Sequence, residues 1–113
     1  MFKFTIYGRL PTHNEYTQVS RINKYASAHM KSNAENNILI DIALTKTGTA
    51  KPPYFITFVW NEKTRRRDKD NVCFAKKFIL DALQKGGYIE NDSNKYILGF
   101  KDLFRYGDKQ SVD

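Results

Sequence analysis

Hydrophobic residues alternate with polar ones at the start of the chain, and the spacing then changes to that of a helix. Phe2, Phe4 and Ile6 are each separated by one residue, which is the period of a half-buried strand. The turn-forming stretch 8–11 ends this strand. The pattern from residue 16 to about residue 45 then predicts helical structure.

This helical region is predicted to contain two helices, because breaks are indicated around residues 20–23 and 32–33. In the second helix, small and apolar side chains recur at helical spacing. This stripe consists of Ala34, Ile38, Leu39, Ile42 and Thr45, whereas Glu35, Asn36 and Asp41 fall elsewhere on the helix. The pattern indicates an amphipathic helix that faces the core.

The second half of the chain begins with a proline-containing connection at 46–53. Residues 54–60 are almost continuously apolar, which predicts a central strand covered on both faces. A helix is predicted over 71–85, and two glycines follow it. A last strand is predicted over 96–106, and the polar tail from about residue 107 is expected to be loose.

The third helix has its own apolar stripe. The stripe consists of Val72, Ala75, Ile79, Ala82 and Leu83. The order of elements is therefore strand, two helices, strand, helix, strand, and the predicted fold class is α+β, with a small mixed β-sheet packed with about three helices. The 113 residues are expected to form a single domain over 1–113.

Charge and composition narrow the classes of partner. The formal net charge is +7 and the pI is about 9.5, which favours a polyanion such as nucleic acid. Charge alone leaves ribosomal-type binding and anionic membranes open. Cys73 is the one cysteine, so no internal disulfide forms, and an inert packing role in a reducing compartment is expected. No apolar run approaches the roughly 20 residues that span a bilayer, which favours a soluble, cytoplasmic protein.

The candidate chemistry lies just beyond the predicted central strand. Three arginines precede an Asp-x-Asp-Asn run, and these residues are Arg65, Arg66, Arg67, Asp68, Asp70 and Asn71. Carboxylates beside guanidinium groups suit a site that holds a divalent metal and a phosphate together. Two simpler interpretations stay open: Asp70 is a helix cap, and the arginines are solvated surface.

Helical geometry relates this run to a lysine. On a helix that continues back to Asp70, Phe74, Lys77 and Asp81 follow at i+4, i+7 and i+11 on one face. Lys77 then points to the same side as Asp70, and Lys76 points elsewhere. Asp81 either holds Lys77 in place or is part of a solvated face.

A second acidic segment follows the paired glycines. Glu90 and Asp92 belong to a turn that can return toward Asp68 and supply a third carboxylate, although a plain turn explains the same residues. His13 and His29 are too few and too far apart for a zinc site with one cysteine.

These motifs resemble the RusA-like Holliday junction resolvases, small metal-dependent endodeoxyribonucleases often carried by prophages. The residues that carry the resemblance are Arg66-Arg67-Asp68-Lys69-Asp70-Asn71, Phe78-Ile79-Leu80-Asp81-Ala82-Leu83, Gly87-Tyr88-Ile89-Glu90-Asn91-Asp92 and, near the start, Leu10-Pro11-Thr12-His13-Asn14. The resemblance implies that Asp68, Asp70 and Asp92 are essential carboxylates that hold Mg²⁺ or Mn²⁺. It also implies a homodimer that makes paired nicks in a four-way junction during DNA recombination and repair.

The chain departs from the family pattern in the third helix, which is about one turn longer here. Aligned on residues 81–83, the active-site lysine of the family falls on Lys77. Counted forward from Asp70, it falls on Ala75, next to Lys76. The helical geometry favours Lys77.

The resulting expectation is a nuclease with Lys77 beside the three catalytic aspartates. The expected DNA contacts are Arg65, Arg66, Arg67, Lys76, Asn14 and Asn71. One alternative is a nuclease of the same chemistry that acts on flaps, forks or duplex DNA. The other is a non-catalytic nucleic-acid-binding module in which the acids only balance the arginines.

Overall fold

The fold of the chain, in a computed structural model, is an α+β arrangement, which confirms the predicted class. The structure describes residues 2–8, 10–63, 69–90, 97–107 and 111–112, without the side chains of residues 70 and 71. The elements are β1 (Ile6–Tyr7), α1 (His13–Ile22), α2 (Lys24–Thr45), β2 (Tyr54–Glu62), α3 (Lys69–Cys73), α4 (Lys76–Lys85), β3 (Ile97–Tyr106) and β4 (Ser111–Val112). No helix of the described residues is long and apolar enough to cross a membrane.

The sheet is mixed, with the strand order β1-β4-β2-β3. β2 pairs parallel with β3 along its whole length and antiparallel with β4 at Trp60 and Asn61. The predicted central position of β2 is therefore correct. The tail expected to be loose is not loose at Ser111 and Val112, because these two residues are buried in β4 between β1 and β2.

The first two helices are separated by one residue, Asn23, as the pattern predicted. Its side-chain oxygen accepts hydrogen bonds from the backbone N–H groups of Tyr25 and Ala26, at 2.8 and 3.4 Å, and so caps α2. The break indicated at 32–33 is absent. Packing against the core overrides the weak local preference there, since Ala34, the next residue, is buried.

The inward face of α2 follows the predicted stripe only in part. Ala34, Ile38 and Ile42 are buried in the core. Glu35, predicted to face elsewhere, is also buried, and its carboxylate oxygens lie 3.8 Å from Lys31 Nζ and 4.0 Å from Lys85 Nζ. Lys85 belongs to α4, so the packing of α4 on α2 both buries Glu35 and supplies a cation for it.

The helix predicted over 71–85 is broken into α3 and α4. The residues of its predicted apolar stripe are nonetheless all buried: Val72, Ala75, Ile79, Ala82 and Leu83. At the break, the N–H groups of Ala75 and Lys77 donate to the carbonyls three residues earlier, which tightens the chain. The ring of Phe74 then contacts His13, with centroids 5.0 Å apart, and Phe78, at 5.5 Å.

The two faces of the β2–β3 pair differ, which corrects the prediction that β2 is covered on both sides. One face, called the inner face here, carries Ile56, Phe58, Trp60, Phe100, Asp102 and Phe104. The opposite face, called the outer face, carries Phe55, Thr57, Val59, Asn61, Gly99, Lys101, Leu103 and Arg105. Phe58 and Trp60 are 3% and 2% exposed, whereas Phe55 is 62% exposed. The inner face lies against the core, whereas the outer face is exposed at Phe55 and buried at Asn61.

Candidate functional site

The predicted site is described only in part. Arg65, Arg66, Arg67, Asp68 and Asp92 lie outside the described residues. Asp70 and Asn71 belong to α3 by their backbone, without a description of their side chains. Asn14, Lys76 and Lys77 are described in full, so the elements around the acidic run can be placed.

α3 lies between the sheet and α1. On one side, Lys69 Nζ is 5.5 Å from the centroid of the Phe104 ring, on the inner face of β3. On the other side α3 contacts α1, and just after it Phe74 contacts His13, the residue before Asn14. The structure thus brings Asn14, in the first turn of α1, to the same neighbourhood as the backbone of Asp70.

Lys76 points into the molecule, toward the inner face of the sheet. Its ammonium lies 2.8 Å from Asp102 Oδ2 and over the rings of Phe58 and Phe100, 5.2 and 4.6 Å from their centroids. The other carboxylate oxygen of Asp102 accepts a hydrogen bond of 2.9 Å from the buried indole Nε1 of Trp60.

This Lys76–Asp102–Trp60 cluster joins the start of α4 to both long strands. The side chains of Lys76 and Asp102 are only 20% and 28% exposed. The ammonium of Lys76 is therefore already bound by an internal carboxylate and two rings, which argues against the predicted role of Lys76 as a DNA contact.

Lys77 is exposed to solvent, on a different side of α4 from Lys76. The reasoning that placed it beside Asp70 is wrong in one respect, because it assumed one continuous helix and the chain turns at residues 74–75. Asp81 does not pair with Lys77 but lies 3.1 Å from Lys31 Nζ of α2. The hydrogen bond that Lys31 donates to this carboxylate raises the pKa of Lys31.

Glu90, the described acid of the second acidic segment, contacts the start of β2. The carboxylate of Glu90 lies 3.2 Å from the hydroxyl of Tyr54, the first residue of that strand. Partial burial and then Glu90 raise the pKa of Tyr54, whose hydroxyl donates to the Glu90 carboxylate.

The described neighbours of the two acidic segments therefore lie toward different ends of β2. Phe104, which Lys69 covers, pairs with Trp60, and Trp60 is six residues along the strand from Tyr54. At about 3.3 Å per residue, these levels are separated by roughly 20 Å. Asp92 itself lies outside the described residues, so its approach to Asp68 stays a prediction.

The residues predicted from the sequence to hold a metal are all carboxylates. No group of three His, Cys, Asp or Glu side chains within the described ranges could hold a metal ion, and the three predicted ligands all lie outside what is described of side chains. The donor set proposed from the sequence consists only of carboxylates, which fit Mg²⁺ or Mn²⁺. His13 packs on Phe74 instead of extending this set.

Two acidic residues near the site were missed by the sequence reasoning. Glu62, the last residue of β2, is buried three residues before the arginine run begins. The other is Asp102, which lies within the predicted last strand. Its position between Phe100 and Phe104, in the inward phase of an alternating strand, is a signal that could have predicted a buried carboxylate with a cationic partner.

No protein-family model matches this chain, and no curated protein is significantly similar to it. The resemblance to RusA-like resolvases thus rests on the short motifs themselves and stays a prediction.

Proposed function

We propose that the chain is a metal-dependent endodeoxyribonuclease that resolves Holliday junctions, or closely related branched DNA, by paired nicks during recombination and repair. The observation that carries this proposal is the Asp68-x-Asp70-Asn71 run, preceded by three arginines and followed by an exposed lysine at the start of α4. Such a combination supplies oxygen ligands for a hard cation and guanidinium groups for phosphate. It occurs in a chain with a net charge of +7.

In this proposal each residue type has one role. Asp68, Asp70 and Asp92 hold Mg²⁺ or Mn²⁺, which when bound would activate water and neutralise charge on the scissile phosphate. Lys77 stabilises negative charge on the phosphoryl oxygens. The arginine run, Asn14 and Asn71 hold the DNA, and a homodimer in the cytoplasm supplies two sites for two symmetric nicks.

Replacement of Asp70 tests the metal site. Asp70→Asn keeps the size of the side chain but removes an anionic ligand, so we expect cleavage of a synthetic four-way junction in Mg²⁺ to be lost. Folding and junction binding in EDTA should persist. Glu90→Gln is the matched control, because it removes one negative charge near the second acidic segment and keeps an acceptor for Tyr54.

The outcome separates the function classes. If Asp70→Asn cuts at the wild-type rate, the metal-site proposal is wrong. If the wild type binds the junction equally well in EDTA and cuts nothing in Mg²⁺ or Mn²⁺, the protein is a binding module. Equal cleavage of flaps, forks or linear duplex by the wild type would support the alternative nuclease target.

The two adjacent lysines provide a second test. Lys77→Ala should lower the single-turnover rate on saturating junction by about a hundredfold, because a preorganised cation is lost at the transition state. Lys76→Ala should instead lower the melting temperature, since it removes the partner of Asp102. An inactive but well-folded Lys76→Ala together with a fully active Lys77→Ala would reverse the assignment.

A further inference from the structure

The outer face of the β2–β3 pair combines an exposed aromatic ring with exposed cations. Phe55 projects from β2, and its ring covers Gly99 of β3 so closely that a Cβ atom at residue 99 would lie 3.2 Å from the ring. Further along the outer face, Thr57 pairs with Lys101 and Asn61 pairs with Arg105. Because Gly99 has no side chain, the ring of Phe55 can lie close against β3. Lys101 and Arg105 follow on the same face.

Charge on this face has one sign. Lys101 and Arg105 are both exposed and are four residues apart on β3, a distance of about 13 Å at 3.3 Å per residue. The strand residues of the outer face that β2 and β3 supply include no aspartate or glutamate. The one acid within this stretch of β3, Asp102, points to the inner face, where it binds Lys76 and Trp60.

We infer that the outer face binds an unpaired DNA strand, with a base stacked on Phe55 and phosphates held by Lys101 and Arg105. A flat exposed ring can stack on a base. The flat face of a base is accessible in a single strand, whereas in a duplex the neighbouring base pairs cover it. Two cations with no acid among the outer-face residues of β2 and β3 fit the phosphates of the same DNA strand. A second copy of the chain is the other occupant that the test must consider, because Val59 and Leu103 add apolar surface.

This inference rests on the proposed function and deepens it, because it assigns the unpaired part of a branched substrate to residues other than the proposed metal ligands. It is tested by binding alone, without cleavage. The probe is a fluorescently labelled 20-nucleotide oligo-dT strand, and its anisotropy is followed in EDTA over a series of salt concentrations.

We expect Phe55→Ala to weaken binding of the oligo-dT strand by about tenfold, the scale of one lost base–aromatic contact. Phe55→Trp should restore wild-type affinity, because it keeps a stacking ring. Tyr25→Ala is the matched control: Tyr25 is another exposed aromatic residue, 80% exposed at the start of α2, and its loss should leave binding unchanged. Lys101→Gln and Arg105→Gln should each lower the logarithmic salt slope by about 0.7.

Three results would overturn the inference: no binding of oligo-dT by the wild type, unchanged affinity in Phe55→Ala, or an equal loss in Tyr25→Ala. Sedimentation of the same variants separates the two occupants. A dimer that dissociates in Phe55→Ala while oligo-dT affinity is unchanged would assign the face to a second copy. A wild type that binds oligo-dT through Phe55 but never cuts a junction in Mg²⁺ would support the inference and overturn only the proposed nuclease.

Discussion

The inner and outer faces of the β2–β3 pair are made from alternate residues of the same two strands, and both combine aromatic rings with cations. On the inner face, Lys76 lies over two rings and is neutralised by Asp102. On the outer face, Lys101 and Arg105 have no acid beside them on the two strands. A cation that has an internal carboxylate stabilises the fold, whereas cations without one remain suited to an external anion.

The largest expected effect on stability comes from a substitution that disrupts the packing of the inner face and leaves the outer face unchanged. Phe58→Ala should lower the free energy of unfolding by about 3 to 5 kcal/mol, because it opens a cavity beside Trp60 in the core. Phe55→Ala, on the same strand, should change it by no more than about 0.5 kcal/mol. Urea denaturation of both variants measures this contrast, and equal losses would show that the outer face is also part of the core.

The second effect concerns the ion pair of the inner face. Asp102→Asn should cost about 1 to 2 kcal/mol, because it leaves a largely buried ammonium without a charged partner, while partial exposure of both groups limits the loss. Lys76→Met keeps an unbranched side chain against Phe58 and Phe100. A double-mutant cycle from thermal unfolding should therefore show a favourable coupling between residues 76 and 102. Strict additivity would mean that the pair contributes nothing to stability.

The smallest expected change in stability comes from the outer face. Lys101→Glu reverses a charge beside Thr57 and should leave the melting temperature within a few degrees of wild type. It should nevertheless weaken oligo-dT binding more than Lys101→Gln does, because it adds repulsion to a lost phosphate contact. Anisotropy at low and high salt checks this, and a difference between the two variants that does not shrink at high salt would contradict it.

Much of the fold could be predicted from the sequence because periodicity carries the information. The spacing of Ile38 and Ile42 predicts helix α2, and the apolar run from Tyr54 predicts the central strand. The same run could not show that one side is open, since Phe55 and Phe58 are equally apolar. The turn at residues 74–75 contains neither glycine nor proline, so nothing local indicated it.

Contacts between residues far apart in the sequence explain the other differences between the predictions and the structure. Glu35 looks like a surface residue until Lys85 of α4, fifty positions later, is packed beside it. The two residues of β4 lie in a polar segment, and only pairing with β1 and β2 buries them. For the site, the sequence could name a set of oxygen donors and two candidate lysines. It could not distinguish these lysines, because the internal partner of Lys76 is on a strand 26 residues away.

The insertion of β4 between β1 and β2 also has a consequence for the order of folding. Ile6 pairs with Val112, so this contact closes a loop from residue 6 to residue 112, and the entropic cost of closure rises with loop length. The segment of β1 also contacts residues that are nearer in the sequence, because the N–H groups of Thr5 and Tyr7 donate to the side chains of Thr45 and Asp41 in α2. The first strand can therefore dock on its helix early, and β4 completes the sheet as a late step. In native-state hydrogen exchange, the amides of β4 should open before those of the β2–β3 pair.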